Sequence, residues 1–462
     1  MMNSYEIYEE IKVENDFISL AKIFDFRIDE RVSEHARVYV FGLLDDVVKI
    51  NDVLSIGSKS EFKIIIKYPN KADGKFIFDG ILENFEILLN AGEKFIKLNL
   101  ISRSFEADGE ETTKRYNNSE KEYVNIFNKI VREKYGGDLS GDALGDMKQE
   151  NLIVQYRETD WQFLKRIASH ANLAISTKPQ ENGKLEILVG FPDGDTKNFD
   201  GQVFKKDFYF NAELPEYIGI STEYYDLCDK VSFEGDVYYI IKKMIELREG
   251  VLFNTYTLTP SEGFNVPYVC NRKIAGASLS GKVLGFDKDK PNHASVYLEV
   301  DEEEAEDSER LEIVTVYSGE GEDMHFGVFT MPEIGASVSL YFPDDDEENA
   351  YISSSFLHED LSQVLESQKE KSFYAFGNEL KMNTESVRMR AKDDRSSLEL
   401  EDEQGIIIKS DGALLIKSAE IELGLKNKLT ISAEKELEFK TNASSVLLNG
   451  DIEINASGLV RL

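Results

Sequence analysis

Residues 406–423 read IIIKSDGALLIKSAEIEL, which is three short apolar runs separated by Lys-Ser-Asp-Gly and Lys-Ser-Ala-Glu. Each run has the length and composition of a β-strand, and too few residues lie between the runs for a helix. The apolar residue that starts each run recurs every six to nine residues along the C-terminal part, at Leu398, Ile406, Leu414, Ile421, Leu429, Leu437, Val446, Ile452 and Leu459. A repeat this short predicts stacked strands.

A single ribbon of such strands has nothing to cover its apolar face. A strand of about five residues spans roughly 17 Å and sends only two or three side chains to each face. The sequence therefore predicts an intertwined trimeric β-helix, or β-prism, over residues 386–462, in which each chain gives one strand per layer. A solenoid within one chain, which usually takes roughly 18 to 25 residues per coil, is the alternative.

Residues 280–357 contain five strand candidates, at 281–286, 294–300, 311–317, 338–342 and 350–354. Their number and length predict a small closed barrel of the OB type. Residues 280–360 hold 22 Asp and Glu against 4 Lys and Arg. This acidity argues against the nucleic-acid binding for which OB barrels are often used. The acidic runs at 301–307 and 344–348 lack the spaced oxygens and glycine of a calcium loop, so we interpret them as solvated loops.

The N-terminal part mixes strands and helices. Polar and apolar residues alternate in much of 1–110 and again in 184–258, as in strands. Between them, the capping boxes Ser119–Glu122 and Thr159–Gln162 predict two helix starts, and Gly136-Gly137 predicts the end of the first helix. This order favours an α+β arrangement in a chain that is otherwise mainly β.

Composition excludes several classes of partner and site. The net charge of −34 over 462 residues disfavours nucleic acid and anionic lipid. No apolar run is long enough to span a membrane, and the first residues do not resemble a cleaved signal. We expect Cys228 and Cys270 to be free thiols in a reducing compartment, with a disulfide between them as the alternative.

No enzymatic template fits the sequence. The five histidines are scattered, so we predict no metal site, and we expect no cofactor. The chain has no Gly-x-Ser-x-Gly motif and no phosphate loop. About forty residues between the barrel and the tail are too few for a fused hydrolase. We expect no fused effector after Leu459, and we interpret Trp161 as a core anchor of its helix.

Residues 155–167, QYRETDWQFLKRI, resemble the signature QYRE-[ST]-D-[FW]-x-F-L-x-R-[IL] of the VgrG family of spike proteins from type VI secretion and related contractile injection systems. Residues 329–342, with Pro332 and Gly335 before a strand, resemble that family's barrel segment. The following segment 343–349 departs from the family, which has a proline-containing turn there. The resemblance implies a structural role for Gln155, Tyr156, Arg157, Glu158, Asp160, Trp161, Phe163, Leu164, Pro332 and Gly335.

The resemblance also implies a domain order. Residues 1–275 would form a hub like that of phage baseplates, with tube-like β-barrels and helices. An OB-fold barrel (280–357), a linker (358–385) and a triple-stranded spike (386–462) would follow. Three copies would form a ring that matches the end of an inner tube, and the blunt end of the prism would contact a PAAR-type tip protein through Leu459, Val460, Arg461 and Leu462.

These expectations predict a non-enzymatic central spike that caps the inner tube and punctures the target envelope when a sheath contracts. The implied partners are two sister copies, the inner tube protein, baseplate components, a tip protein and effector cargo, with transient contact to the target membrane. The implied location is the bacterial cytoplasm during assembly and then the injection particle. A spike-associated enzyme that degrades cell wall or polysaccharide, and a receptor-binding tail fibre, are the alternatives.

Overall fold

The computed structural model of the chain describes residues 8, 10–57, 60–67, 74–116, 122–141, 144–145, 152–192, 194–207, 216–260, 266–290, 292–300, 309–314, 317–320, 325–328, 331–356, 371–375, 378–392, 395–450 and 452–456. It divides into a first unit, Met1–Asp360, and a second unit, Leu361–Leu462. The structure is mainly β, as the sequence predicts.

The strands of the first unit, in chain order, are β1 (Glu10–Glu14), β2 (Leu20–Arg31), β3 (Arg37–Leu44), β4 (Glu61–Lys67), β5 (Lys75–Asn90), β6 (Glu93–Ser102), β7 (Thr112–Tyr116), β8 (Asp138–Ser140), β9 (Ile153–Glu158), β10 (Ile175–Lys178), β11 (Glu186–Val189), β12 (Lys197–Asn198), β13 (Gly201–Asp207), β14 (Glu216–Ser221), β15 (Lys230–Phe233), β16 (Asp236–Arg248), β17 (Val251–Pro260), β18 (Ser278–Phe286), β19 (His293–Leu298), β20 (Glu309–Ile313), β21 (Tyr317–Glu320), β22 (His325–Val328), β23 (Ser337–Tyr341) and β24 (Tyr351–Phe356).

A large sheet dominates the first unit. Within the described ranges it has twelve strands, with the main order β1-β4-β5-β6-β3-β2-β16-β17-β14-β13, and β12 and β15 joined beside β16. The two halves, for which the resemblance implies tube-like barrels, meet where β2 pairs antiparallel with β16. The buried apolar residues of the first half form one core, which also takes in Ile245 of β16 and Leu252 of β17, and a second core is centred on the other half.

Most of the short helices of the first unit form a helical layer, which shares a hydrophobic core with strands β10 and β11 of a separate three-stranded sheet, β10-β11-β8. The short helices include α1 (Ile50–Leu54), a 3₁₀ turn (Arg103–Asp108), α2 (Tyr123–Phe127), which continues as a π-helix (Asn128–Lys134), and α3 (Asp160–His170). Helix α2 has Glu122 as its N-cap, three residues after the Ser119 that starts the predicted capping box. Ser119 itself lies outside the described residues. Gly136, with a φ of +61°, follows the end of this helix, as the sequence predicts.

The five predicted barrel strands form a closed barrel, in the order β18-β19-β20-β24-β23. All neighbouring pairs are antiparallel except β20 and β24, which run parallel. The observed limits lie within a few residues of the predicted ones, because the strands alternate buried and exposed side chains with a period of two. A closed barrel of this size is what an OB-type fold requires.

The second unit contains β25 (Lys371–Ala375), β26 (Asn378–Met382), β27 (Ser386–Arg390), β28 (Ser396–Glu401), β29 (Gly405–Ser410), β30 (Leu437–Lys440), β31 (Ser444–Leu448) and β32 (Ile452–Ala456). The first five form one antiparallel sheet and the last three another, each with sequential neighbours paired. β25 and β26 lie in the segment 358–385 for which the resemblance implies a linker. Residues 411–436 form no strand within the chain.

Candidate functional site

The signature segment, residues 155–167, runs from β9 into α3 and is held by a network of buried hydrogen bonds. Gln155 accepts from the Tyr116 hydroxyl at 3.1 Å and donates through Nε2 to the Glu158 carbonyl and to Asp160 Oδ1, both at 3.0 Å. The second oxygen of Asp160 accepts from Lys134 Nζ at 2.6 Å and the Tyr135 hydroxyl at 2.7 Å. This network fixes the turn between strand and helix.

The start of α3 follows the predicted cap. Thr159 Oγ1 accepts a hydrogen bond from the Gln162 amide at 3.1 Å, as an N-cap residue does. Trp161 is buried and Phe163 stacks on Tyr116 with ring centroids 5.0 Å apart. Leu164 is fully buried in the same core. The prediction of Trp161 as a core anchor is confirmed.

Arg166, which is 2% exposed, lies between two carboxylates that come from different parts of the first unit. Its Nε lies 2.9 Å from Glu158 Oε1, and its Nη1 lies 3.1 Å from Oε1 of Glu347, a residue in a 3₁₀ turn just before β24 of the barrel. Its Nη2 donates to the Val154 carbonyl at 2.9 Å. One guanidinium therefore joins α3 to the barrel.

Burial governs the ionisation of this cluster. It raises the pKa of Glu158 and of Glu347, and the charge of Arg166 opposes both shifts. Burial alone would lower the pKa of Arg166, but the two carboxylates outweigh it and the net shift is upward. The interpretation of the run 344–348 as a solvated loop is therefore wrong for Glu347, which is 4% exposed and is buried by its pairing with Arg166.

Further contacts tie the same segment to the barrel. Arg115 of β7 pairs with Glu309 of β20 at 3.3 Å, with both side chains buried. Leu152 and Val154 belong to the hydrophobic core of the barrel itself. These contacts and the Arg166 cluster make the signature segment the junction between the helical layer and the barrel.

Tyr156 and Arg157 bind the turn that precedes the first barrel strand, β18. The Tyr156 carbonyl accepts from Asn271 Nδ2 at 2.9 Å, and the Arg157 carbonyl accepts from Lys273 Nζ at 2.6 Å. Arg157 has a φ of +49°, a left-handed conformation that turns its carbonyl toward Lys273. The Arg157 side chain lies over the Tyr156 ring.

Pro332 and Gly335 lie in the turn before β23. The Ala336 amide donates to the Glu333 carbonyl at 3.0 Å, and Gly335 has a φ of +88°. A glycine with positive φ at the third position is the requirement of a type II turn. The Gly335 amide also donates to the Val283 carbonyl at 2.7 Å, which fastens the turn to β18.

One arrangement has the residue types of a hydrolase triad. His35 Nδ1 lies 2.7 Å from Ser104 Oγ, and its Nε2 lies 3.2 Å from Asp108 Oδ2. Ser104, however, is completely buried and also bonds Ser102, so its hydroxyl cannot meet a substrate. Burial lowers the pKa of His35, and the ring stacks on Trp161 at 4.6 Å. The geometry fits a structural bridge.

The two cysteines, possible metal clusters and possible membrane helices complete the description of the sites. Cys228 and Cys270 are free thiols, and burial raises the pKa of both, that of Cys228 to about 12. Among the described residues, no group of three or more His, Cys, Asp or Glu side chains is placed to hold a metal ion. Within the same residues, no helix is long and apolar enough to cross a membrane.

The five-stranded sheet of the second unit has two unlike faces. Phe373, Leu380, Met389, Leu398 and Ile408 lie in one row across the five strands, and Met382, Val387, Leu400 and Ile406 lie in the next row on the same face. The opposite face carries charge pairs, such as Arg388 with Glu399 at 3.2 Å. The apolar face is uncovered, with Phe373 57% exposed and Ile406 70% exposed.

The predicted repeat continues in the same uncovered state. Leu414, Ile421 and Leu429, which begin three of the predicted runs, are each more than half exposed. Leu459, Val460, Arg461 and Leu462, the predicted contacts of a tip protein, lie outside the described residues.

Several buried charges escaped the sequence analysis. Lys243 of β16 lies opposite Glu30 of β2, with Nζ 2.9 Å from Oε2, and both are almost fully buried at the joint of the two sheet halves. Glu309 and Glu347 were also missed. Their partners lie 194 and 181 residues away in the chain, so no local pattern marks them.

Comparison with solved structures identifies the fold. The E. coli c3393 protein, a component of the type VI secretion system described as similar to the T4 bacteriophage tail proteins gp27 and gp5, matches with a TM-score of 0.53 at 14% identity, over 75% of this chain and 100% of that one. The chain has a VgrG-like spike fold. The Francisella PdpA–VgrG complex matches this fold with a TM-score of 0.57 at 8% identity, over 88% of this chain and 89% of that one. Its lidded form matches with a TM-score of 0.56 at 10% identity, over 88% and 81%.

No protein-family model and no curated protein sequence matches the chain. The likeness therefore rests on structure, and at these identities it establishes the VgrG-like fold alone.

Proposed function

We propose that the chain is the central hub and spike of a contractile injection system. In this proposal residues 1–275 form the hub, 280–357 an OB-type barrel and 386–462 the spike. The connecting segment 358–385 contributes β25 and β26 to the first sheet of the spike. The protein assembles in the bacterial cytoplasm and then becomes part of the injection particle. It transmits the force of sheath contraction to a narrow tip and performs no chemistry itself.

The uncovered apolar face of the five-stranded sheet carries this proposal. Full burial of one large apolar side chain contributes about 1.5–3 kcal/mol, so nine of them in contact with water represent a large unused driving force. One sheet cannot cover its own face, and three such sheets facing a common axis bury all three faces. We therefore propose a homotrimer with its charged faces outward.

The second unit suggests two ways of assembly. Between 371 and 410 the strands pair within the chain, so each copy would supply a complete sheet to one side of the prism. Residues 411–436 are apolar at regular intervals but have no strand partner within the chain. We infer that this part winds with two sister copies, which is where the predicted arrangement of one strand per chain and layer would begin.

The junction in the first unit suits a part that carries load. Two buried Arg–Glu contacts and a shared hydrophobic core join the helical layer to the barrel. A joint held by packing and buried ion pairs resists displacement better than a flexible linker does. A push on the hub would thereby reach the barrel without loss of alignment.

The hub would dock on the inner tube protein and on baseplate components. The end of the spike, at Leu459, Val460, Arg461 and Leu462, would contact a PAAR-type tip protein and so carry effector cargo. Deletion of 459–462 should abolish capture of a tip protein by the otherwise intact trimer. Continued capture would show that these residues do not form the contact.

The mass in solution tests the central claim. Light scattering on the purified chain should give three copies of 52.5 kDa, about 158 kDa. Removal of residues 371–462 should give a monomer with the far-ultraviolet signature of a folded β protein. A full-length monomer that keeps its C-terminal strands protected from hydrogen exchange would contradict the proposal. A receptor-binding fibre would instead lose target binding, with particle assembly intact, when the tail is removed.

A further inference from the structure

Residues 266–274, which we call the strap, lie in the chain between β17 of the large sheet and β18 of the barrel. Tyr268 is 56% exposed and Val269 is 48% exposed, so the outer side of the strap meets water. The strap therefore depends on the contacts of its inner side, which faces the end of α3 and the turn after β9.

Three contacts fasten the middle of the strap to the end of α3. The Val269 amide donates to Ser169 Oγ at 2.9 Å, and His170 Nε2 lies 3.0 Å from the Val269 carbonyl oxygen. The Tyr268 ring stacks on the His170 ring, with centroids 4.1 Å apart and an interplanar angle of 8°. Because a carbonyl oxygen only accepts, Nε2 carries the proton and donates it. Two of the three contacts therefore depend on one imidazole ring.

A second proton on His170 would find no acceptor. With the first proton on Nε2, the neutral ring has only a lone pair on Nδ1, which is buried and has no hydrogen-bond partner among the described residues. Protonation would turn Nδ1 into a buried donor without an acceptor, which costs free energy. The imidazolium is more stable in water, and it reaches water only if the ring leaves the strap.

The charged neighbours of the ring add to this cost. The charge of Arg166, one turn earlier in α3, repels an imidazolium, and Asp346, in the acidic run before β24, attracts it more weakly. The hydroxyls of Tyr123 and Tyr268 also face the ring and are neutral at pH 7, because burial raises the pKa of both. Burial, with the charge of Arg166, lowers the pKa of His170 to about 4. The closed site therefore favours the neutral ring.

We propose that His170 is an acid-sensitive latch, and that protonation of its ring releases the strap from the end of α3 while the cores of the first unit stay folded. Release frees the chain segment that joins the large sheet to the barrel. A ring that has reached water has a pKa of about 6.5. The strap is therefore fully latched above about pH 6.5 and is progressively released as the pH falls toward about 4. The latch lies within the first unit, so it holds or fails independently of the proposed trimer.

Hydrogen exchange at the Val269 amide measures the latch, because this amide is bonded to Ser169 Oγ when the strap is closed. In the full-length protein, its protection, corrected for the intrinsic effect of pH on exchange, should fall at least about tenfold between pH 7 and pH 5. Amides of β6, in the core of the large sheet, should keep their protection. An equal loss in β6 would mean global unfolding and would overturn the proposal, as would a fall at Val269 of less than about threefold.

Two variants separate the latch from the other contacts of the strap. His170→Gln keeps a donor for the Val269 carbonyl but does not titrate, so its strap should be equally protected at pH 7 and pH 5. Asn271→Ala removes a second fastening, the hydrogen bond from Asn271 Nδ2 to the Tyr156 carbonyl, and leaves His170 in place. It should lower the protection of Val269 at both pH values and keep the same proportional fall between them.

The same comparison tests the nearby carboxylates. Glu158 and Glu347, whose pKa values are raised, titrate in wild type and in both variants. If His170→Gln lost protection as steeply as wild type, the carboxylates would be responsible and the proposal would be overturned. An Asn271→Ala strap whose protection does not change with pH would overturn it as well.

Discussion

The junction in the first unit buries charged side chains, whereas the sheet in the second unit exposes apolar side chains. At the junction, Arg166 and Glu347 are charged yet buried, and each has a partner. In the five-stranded sheet, apolar residues such as Ile406 are exposed and have none. Each is unusual for a monomer, because charges normally lie outside and apolar faces inside. The difference indicates that the first unit covers its core within one chain, whereas the sheet of the second unit needs another surface to cover its apolar face.

The first unit forms most of its apolar packing within one chain. Most of its described apolar residues lie in closed cores, although a few such as Val47, Leu89 and Ile334 are exposed. Its described buried charges, such as Lys243 and Arg166, meet carboxylates of the same chain. In the sheet of the second unit, neighbouring strands are joined by backbone hydrogen bonds, but the apolar face stays exposed. Disruption of the first unit should therefore lower its free energy of unfolding, whereas disruption of the second should change the assembly state.

The largest expected effect is on assembly. Leu400→Asp places a carboxylate in the middle of the apolar face, where three copies would bring three charges together without water. We expect the mass to fall from about 158 kDa to that of one 52.5 kDa chain, with the unfolding midpoint of the first unit unchanged.

Glu399→Gln is the matched control, because it alters the opposite, charged face of the same strand. It should leave the mass of the trimer unchanged. If Leu400→Asp stayed trimeric, the apolar face would not be the contact surface and the contrast between the units would be lost.

Arg166→Met should be the most damaging single change in the first unit. It leaves Glu158 and Glu347 buried without their cation, a situation that costs about 3–5 kcal/mol. Urea denaturation followed by Trp161 fluorescence measures the loss. The triple variant R166M/E158Q/E347Q should recover most of it, because no uncompensated charge remains.

Arg388→Ala removes an arginine from a half-exposed pair in the second unit and should cost less than about 1 kcal/mol. A cost of Arg166→Met as small as that of Arg388→Ala would mean that the buried cluster does not hold the junction together.

His170 at the end of α3 should make stability depend on pH. Burial, with the nearby charge of Arg166, lowers its pKa to about 4. The folded state binds this proton less readily than the unfolded state, whose pKa is near 6.5, so stability is lost as the pH falls from about 6.5 toward 4. The loss from this one group amounts to up to about 3 kcal/mol.

His170→Gln keeps a donor for the Val269 carbonyl, which His170 Nε2 meets at 3.0 Å, but does not titrate. Neighbouring carboxylates such as Glu347 have raised pKa values and act in the opposite direction, so the difference between wild type and variant isolates the histidine. If wild type and His170→Gln showed the same dependence of unfolding free energy on pH, His170 would not be the group responsible.

The smallest effect concerns the cap of α3. Thr159→Ala removes the hydroxyl that caps the helix and also meets Asp108, and it should cost about 1–2 kcal/mol in urea denaturation. Thr159→Ser keeps the hydroxyl and should cost much less. If Thr159→Ser lowered the free energy of unfolding as much as Thr159→Ala, the methyl group of Thr159 would be responsible rather than its hydrogen bonds.

Local patterns predicted the elements whose cause is local. The five barrel strands follow from alternation and the start of α3 from Thr159. The turn at Gly335 was implied only by the resemblance, and the structure adds its positive φ. The signature at 155–167 marked a segment whose residues form one compact network of hydrogen bonds. The sequence did not reveal what that network holds.

The sequence analysis missed the features that depend on a partner far away in the chain, because no local pattern marks them. The acidic run 344–348 resembles any solvated loop until Arg166 is placed beside Glu347, and the pair Glu30–Lys243 exists only because β2 meets β16. The start of α2 at Tyr123 lies three residues after the start that the capping box predicts, and its N-cap Glu122 makes no side-chain capping hydrogen bond. The trimeric β-helix stays a prediction.

The antiparallel order of β25–β29 has a consequence for the evolution of length. Strands lie about 4.8 Å apart in such a sheet, so each added hairpin extends it by roughly 10 Å without altering its width or reversing the chain direction. In the proposed spike, duplication of one hairpin-coding segment would thus lengthen the shaft in fixed steps. The number of hairpins would then set the reach of the spike, with no change to the parts at either end.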